Sequence, residues 1–170
     1  MSKKQKALFR FSIAINIILI LVIVWGYIHI NLAMEQLFFT EVQESLVELE
    51  GLIEHEKNNN WSEPNLVTTK LNEVLNGIEL GIHTGTNSKW ISEDDQAVLG
   101  RLSSRLRQYP TDSLYQFAEV TQNDQKNFEE LQQYLREAGL GLNITISNDW
   151  DIFMKQAQIL ERSIPVPLNE

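Results

Sequence analysis

The chain has no cysteine, which excludes disulfides, thiolate metal sites, a cysteine nucleophile and a lipid-modified N-terminal cysteine. Any fold must rest on packing alone. Histidine is nearly as scarce, with His29, His55 and His83 the only three, and none has metal-ligand spacing. Glu54-His55-Glu56 begins like a zinc-protease motif, but the position four residues after His55 is Asn59. The Glu-x-x-His pairing of carboxylate di-metal bundles fails too, because residue 52 is leucine. Gly85-Thr86-Asn87-Ser88-Lys89 lacks the spacing of a phosphate-binding loop, and no serine sits in a nucleophile elbow. Neither an enzyme, a cofactor nor a metal is indicated.

Acids are absent from the first part of the chain. Lys3, Lys4, Lys6 and Arg10 precede the first acid, Glu35, so the overall net charge of −9 resolves into a basic start and −13 from Glu35 onward. A region that acidic is repelled by phosphate backbones, which argues against nucleic acid as a partner. A cysteine-free external domain also fits a bacterial envelope better than a secreted animal protein. The Asn-x-Ser/Thr matches at Asn60 and Asn143 are expected by chance in a chain this rich in Asn, Ser and Thr.

Charge of either sign is missing between Phe11 and Ile30, a run of 20 residues. At about 1.5 Å per residue this helix spans roughly 30 Å, the thickness of a bilayer's hydrocarbon core. Trp25 and Tyr27 fall near its C-terminal end, where amphipathic rings favour the headgroup zone. The four basic residues lie at the other end and resist translocation, so the expected topology has residues 1–10 in the cytoplasm and the C-terminus outside. The run is longer than a signal-peptide core, and Asn31-Leu32-Ala33 is a poor cleavage site, which favours an uncleaved anchor at 11–31. Asn16 can hydrogen-bond a partner helix, with Ser12 one turn earlier on the same face; the competing reading has it bonding its own helix or water.

Beyond the anchor, Phe39, Val42, Leu46, Leu49 and Ile53 recur at helical spacing among glutamates. The apolar helix is therefore expected to continue through a stalk at 32–57. This stripe is too short for a confident coiled coil, so packing against the rest of the domain is favoured. Residues 58–164 read as further amphipathic helices. Ser62, Glu63 and Pro64 mark one start, with an apolar face at Val67, Leu71, Val74, Leu75, Ile78 and Ile82. The stretch Gly81–Lys89 reads as an exposed loop. Ser92 with Asp95 approximates a capping box for the next helix, which Pro110 ends. Thr111 or Asp112 is expected to cap a helix with Leu114, Phe117, Phe128, Leu131, Leu135 and Ala138 apolar, which a polar patch at Thr121 to Gln125 can bend or split and which Gly139 closes. Leu142, Ile144 and Ile146 alternate as in a short strand whose sole candidate partner is Ile82–Ile91. Asn148 or Asp149 opens a last helix through Ile164, and residues 165–170 form a loose tail. The fold class is thus all-α: an N-terminal transmembrane helix continuing into an extracytoplasmic bundle of four or five helices, with room for a minor two-stranded pairing.

Two clusters invite a functional reading. Trp61, Trp90 and Trp150 fall at helix starts or the loops before them, where rings ordinarily cap a bundle core; two of them beside His83 would instead line a ligand or partner site. Arg101 and Arg105, one turn apart and close to Arg107, can grip a partner's carboxylates or pair internally. The expectation is a single-pass, membrane-anchored interaction module that binds another membrane or envelope protein. The alternative is a ligand sensor or accessory subunit using Trp61, His83 and Trp90. A homo-oligomer is compatible with either.

Overall fold

A computed structural model of the chain describes residues 3–142 and 149–168, the side chain of Ala7 excepted. Two compact units are present, Met1–Met34 and Glu35–Glu170. The described residues of the first unit are all helical, as part of helix α1 (Lys3–Phe38), and no proline interrupts that helix. This is a helix long and apolar enough to cross a membrane.

The second unit is an all-α domain. The last residues of α1 lead into a six-residue π-helical turn (Phe39–Glu44), then α2 (Ser45–Asn58), α3 (Asn65–Ser88), α4 (Glu93–Leu106), α5 (Gln122–Glu137) and α6 (Trp150–Ser163). Neighbouring helices close a ring in the order α2, α3, α4, α6, α5 and back to α2. Inside lie Leu46, Leu49, Ile53, Leu71, Ile78, Leu99, Leu102, Phe128, Leu135, Phe153 and Leu160, each fully buried. The stripe at Phe39, Val42, Leu46, Leu49 and Ile53 belongs to this core. Its 3.6-residue recurrence supplies the face that α3 and α5 cover.

Local chemistry explains where most helices begin and end. The α2 C-terminus is closed by Asn60 in the left-handed region, with Trp61 N–H donating to Glu56 O and Asn60 N–H to Lys57 O. Ser92 accepts the Asp95 N–H and starts α4, and Asp149 accepts the Ile152 N–H and starts α6. Gly139, at φ +81°, closes α5: Leu140 N–H reaches Leu135 O and Gly139 N–H reaches Arg136 O, so two otherwise orphaned carbonyls are satisfied.

Three expectations are corrected. Gly81–Ser88 is not a loop but the last part of α3. Gly77, Gly81 and Gly85 fall one turn apart on a buried face, where their missing side chains admit close neighbours. A Cβ on Gly81 would lie 2.3 Å from the Phe38 ring, and one on Gly77 would lie 2.5 Å from the Glu41 carbonyl oxygen in the π turn. The same finding removes the two-stranded pairing, because Ile82–Ser88 spends its backbone hydrogen bonds within a helix. No strand occurs among the described residues, and Ile144 and Ile146 lie outside them. Finally, no helix starts at Thr111 or Asp112. Residues 107–121 form a connection, and α5 is capped by Thr121, whose hydroxyl accepts the Asp124 N–H while the Asp124 carboxylate accepts the Thr121 N–H.

Candidate functional site

The apolar helix offers no polar cluster of its own. Its large side chains between Phe11 and Ile30 are 42 to 70 % exposed. Asn16 Nδ2 donates to Ser12 O at 3.0 Å, one turn back on the same helix. Trp25 meets His29 edge to face at 4.3 Å between ring centroids.

Within the domain, the three residues proposed as one ligand site separate. Trp90 joins Phe38, Trp150 and Phe153 at the end where the chain enters the bundle, with Trp90 and Trp150 centroids 4.4 Å apart. Trp150 also donates to Asp95 Oδ2 at 3.3 Å. Trp61 follows α2, roughly 30 Å of helix rise beyond Phe38. There it packs on Phe128, which Tyr109 also meets at 5.3 Å. Two aromatic clusters therefore plug opposite ends of one core. His83 joins neither: it is exposed on α3, 3.4 Å from Asn87 Nδ2, in a shallow groove of about 300 Å³ with Glu79, Ile82, Thr86 and Gln96.

The arginines are spent on the domain itself. Arg101 Nε and Arg105 NH2 both reach Glu161 Oε1, at 3.4 and 3.1 Å, and Glu161 is almost fully buried. Arg105 also donates to Ile164 O, and Arg107 pairs with Glu79. These contacts tie α4 to α6 and to α3, and they leave Arg101 and Arg105 serving structure.

A second buried carboxylate, Glu50 on α2, was not singled out in the sequence. It accepts from Arg136 Nε at 2.6 Å, Gln132 Nε2 at 3.0 Å and the Leu142 N–H at 3.1 Å. Arg136 also pairs with Glu54. All four donors or partners come from α2, α5 or the segment just after α5, so the network fixes register between those helices. Lys70 on α3 bridges Glu48 at 2.7 Å and Glu73 at 2.5 Å; burial opposes its charge, but the two carboxylates outweigh that and raise its pKa.

The 107–121 connection carries the two most exposed large apolar side chains described in the domain, Leu114 and Tyr115. Asp112 accepts from the Thr68 and Thr69 hydroxyls, each at 2.7 Å, and from the Ala118 N–H at 2.9 Å, while Asn72 donates to its carbonyl at 2.8 Å. Burial opposes ionisation of Asp112, yet the hydrogen bonds from Ala118, Thr68 and Thr69 prevail and hold its carboxyl below the ordinary value. Held this way, Ser113 and Gln116 exchange backbone hydrogen bonds at 3.0 and 3.1 Å around a tight turn, with Tyr115 at φ +70°. Leu114, Tyr115 and Phe117 then project into solvent at 82, 98 and 64 % exposure. The three-residue spacing of Leu114 and Phe117 resembles a helical face in sequence, which is why both read as apolar positions of the helix expected from Thr111 or Asp112. The signal that distinguishes them is Asp112 followed by Ser113, a turn-forming pair two residues after Pro110.

Among the described residues, no three His, Asp or Glu side chains converge to hold a metal ion. Compared with protein families, characterised proteins and solved structures, the chain matches none.

Proposed function

We propose that this chain is a single-pass membrane protein of a bacterial envelope, whose acidic helical domain stands outside the cytoplasm and binds another membrane or envelope protein. The carrying observation is the uncharged run Phe11–Ile30, none of whose large side chains is covered by protein. At about 1.5–3 kcal/mol for each such side chain removed from water, a lipid environment for the run is worth on the order of tens of kcal/mol. Lys3, Lys4, Lys6 and Arg10 support an N-terminus on the cytoplasmic side. The domain's internal use of Arg101, Arg105 and the three aromatic helix starts points away from a small-molecule sensor at Trp61, His83 and Trp90. The membrane part of the reading is tested by fractionation: the chain should stay in the membrane pellet through an alkaline carbonate wash. Release into the supernatant would refute it.

A further inference from the structure

We infer that the turn Ser113–Phe117 is the docking element of the domain, and that it inserts into an apolar groove bordered by Lys or Arg on a partner protein. The inference rests on the interaction-module reading and gives that module a surface.

Two independent features single out this turn. The first is an exposed apolar tip: Leu114 at 82 % and Tyr115 at 98 % are the two most exposed large apolar side chains described in the domain, with Phe117 beside them at 64 %, whereas those on α3 and α6, such as Leu80 and Ile159, are less than half exposed and scattered singly. Tyrosine and phenylalanine are the side chains that anchor interfaces, because they bring large area at small conformational cost. The second is rigidity maintained against local strain. A tyrosine in the left-handed region is sterically disfavoured, and the geometry persists because Asp112 is fixed by Thr68, Thr69 and Ala118 and because Ser113 and Gln116 close the turn. These hydrogen bonds stabilise the domain whatever the tip does, and they also hold the tip in one shape. As a binding element it gains preorganisation, since little freedom remains to be lost on docking.

Charge selects the occupant. From Gln108 to Gln125 the chain carries Asp112, Glu119 and Asp124 and no basic residue, within a region of net charge −13. A groove of about 360 Å³ beside the tip, lined by Thr69, Asp112, Ser113, Tyr115, Gln116 and Phe117, places an acid next to the apolar residues. A second copy docked face to face would set these acids against one another, and anionic lipid headgroups would repel them. A protein with a basic rim around an apolar groove satisfies both the tip and its border.

The test is site-specific photo-crosslinking of the full-length chain in the cells that produce it, with a photoreactive amino acid at Tyr115 and, as control, at exposed Gln133 on α5. Position 115 should give a protein adduct that position 133 does not, and mass mapping should place the crosslinked peptide on an apolar surface with neighbouring Lys or Arg. Combining Leu114→Ser with Phe117→Ser should cut the yield at least about tenfold while leaving the melting temperature of the domain unchanged, as both side chains are exposed. A homodimer or a lipid adduct at 115, equal yields at 115 and 133, or a mapped contact that is acidic would overturn the inference. A chain that stays membrane-bound through carbonate but gives no adduct at 115 refutes the docking turn alone, whereas release from the membrane refutes the anchor reading instead.

Discussion

Replacing glycine by alanine at two helical positions should move stability in opposite directions. In a helix interior alanine is favoured over glycine by roughly 0.5–1 kcal/mol, because glycine loses more backbone freedom on folding. Gly100 on α4 is exposed, and a Cβ there would meet nothing within 4 Å. Gly100→Ala should therefore stabilise the domain by about that amount. Gly77 on α3 faces the π turn, and its added Cβ would lie 2.5 Å from the Glu41 carbonyl oxygen and 3.1 Å from the Glu41 carbonyl carbon. Backbone opposes backbone here, so no side chain can rotate aside. Relief requires moving α3 away from the π turn, at about 3 kcal/mol, the upper end of the usual overpacking cost. Set against about 1 kcal/mol of propensity gain, Gly77→Ala should be destabilising by roughly 2 kcal/mol. Urea unfolding of the full chain in mild detergent, followed by tryptophan fluorescence and helical circular dichroism, would show the midpoint moving up for Gly100→Ala and down for Gly77→Ala at constant m-value. If Gly77→Ala were as stabilising as Gly100→Ala, the close approach of α3 to the π turn would be wrong.

Further outcomes follow from the polar interior. Arg136→Met leaves the buried Glu50 carboxylate with only Gln132 and the Leu142 N–H. Because the Arg136 side chain is 45 % exposed, solvent already screens the pair, so the loss should be about 1–3 kcal/mol rather than the 3–5 of a fully buried pair; it is read by the same unfolding assay, and no loss would remove Glu50 as the tie between α2 and α5. The Tyr109 hydroxyl is buried, has no hydrogen-bond partner among the described residues, and has its pKa raised chiefly by that burial. Tyr109→Phe should thus be neutral or stabilising by up to about 1 kcal/mol, and a large loss of stability would reveal a missed partner. Asp112 has a folded-state pKa below its ordinary 3.8, so its stabilisation is complete above that value and disappears as pH falls through the lower, folded one. Thermal melts between pH 6 and pH 2 should show a shallower acid decline in Asp112→Asn than in the unaltered chain, and identical slopes would contradict the hydrogen bonding assigned to that carboxylate.

Much of the helical architecture could be read from the residues because its signals are local. The 3.6-residue stripe from Phe39 to Ile53, the Ser92 cap, Gly139 after α5 and Asp149 before α6 each depend on a few neighbours in sequence. What could not be read depends on contacts made across the domain. Gly77, Gly81 and Gly85 count against a helix by propensity, yet they suit this one because Glu41, Phe38 and Ile91 respectively pack onto them. Asp112 is a good helix cap in isolation, but Thr68, Thr69 and Asn72 on α3 claim it for a turn. The tryptophans marked helix starts correctly in kind, while their division between two ends of the bundle depends on the direction in which each helix runs. Trp90 and Trp150 meet because α3 ends and α6 begins beside Phe38. Glu161 and Glu50 carry no local signal that sets them apart from solvated acids, and their pairing depends on arginines that α4 and α5 bring to them.

The central proposal is an anchor with its basic end inside and its acidic domain outside, and the absence of cysteine makes the decisive measurement clean. Single cysteines at exposed Gln5 and Ser62 (Gln5→Cys and Ser62→Cys) would be the sole thiols in the chain. A membrane-impermeant maleimide applied to intact cells, with the outer wall made passable, should label Ser62→Cys at once and Gln5→Cys only after the membrane is opened. Labelling of Gln5→Cys in intact cells with protection of Ser62→Cys would contradict the topology, and protection of both until lysis would place the domain inside the cell.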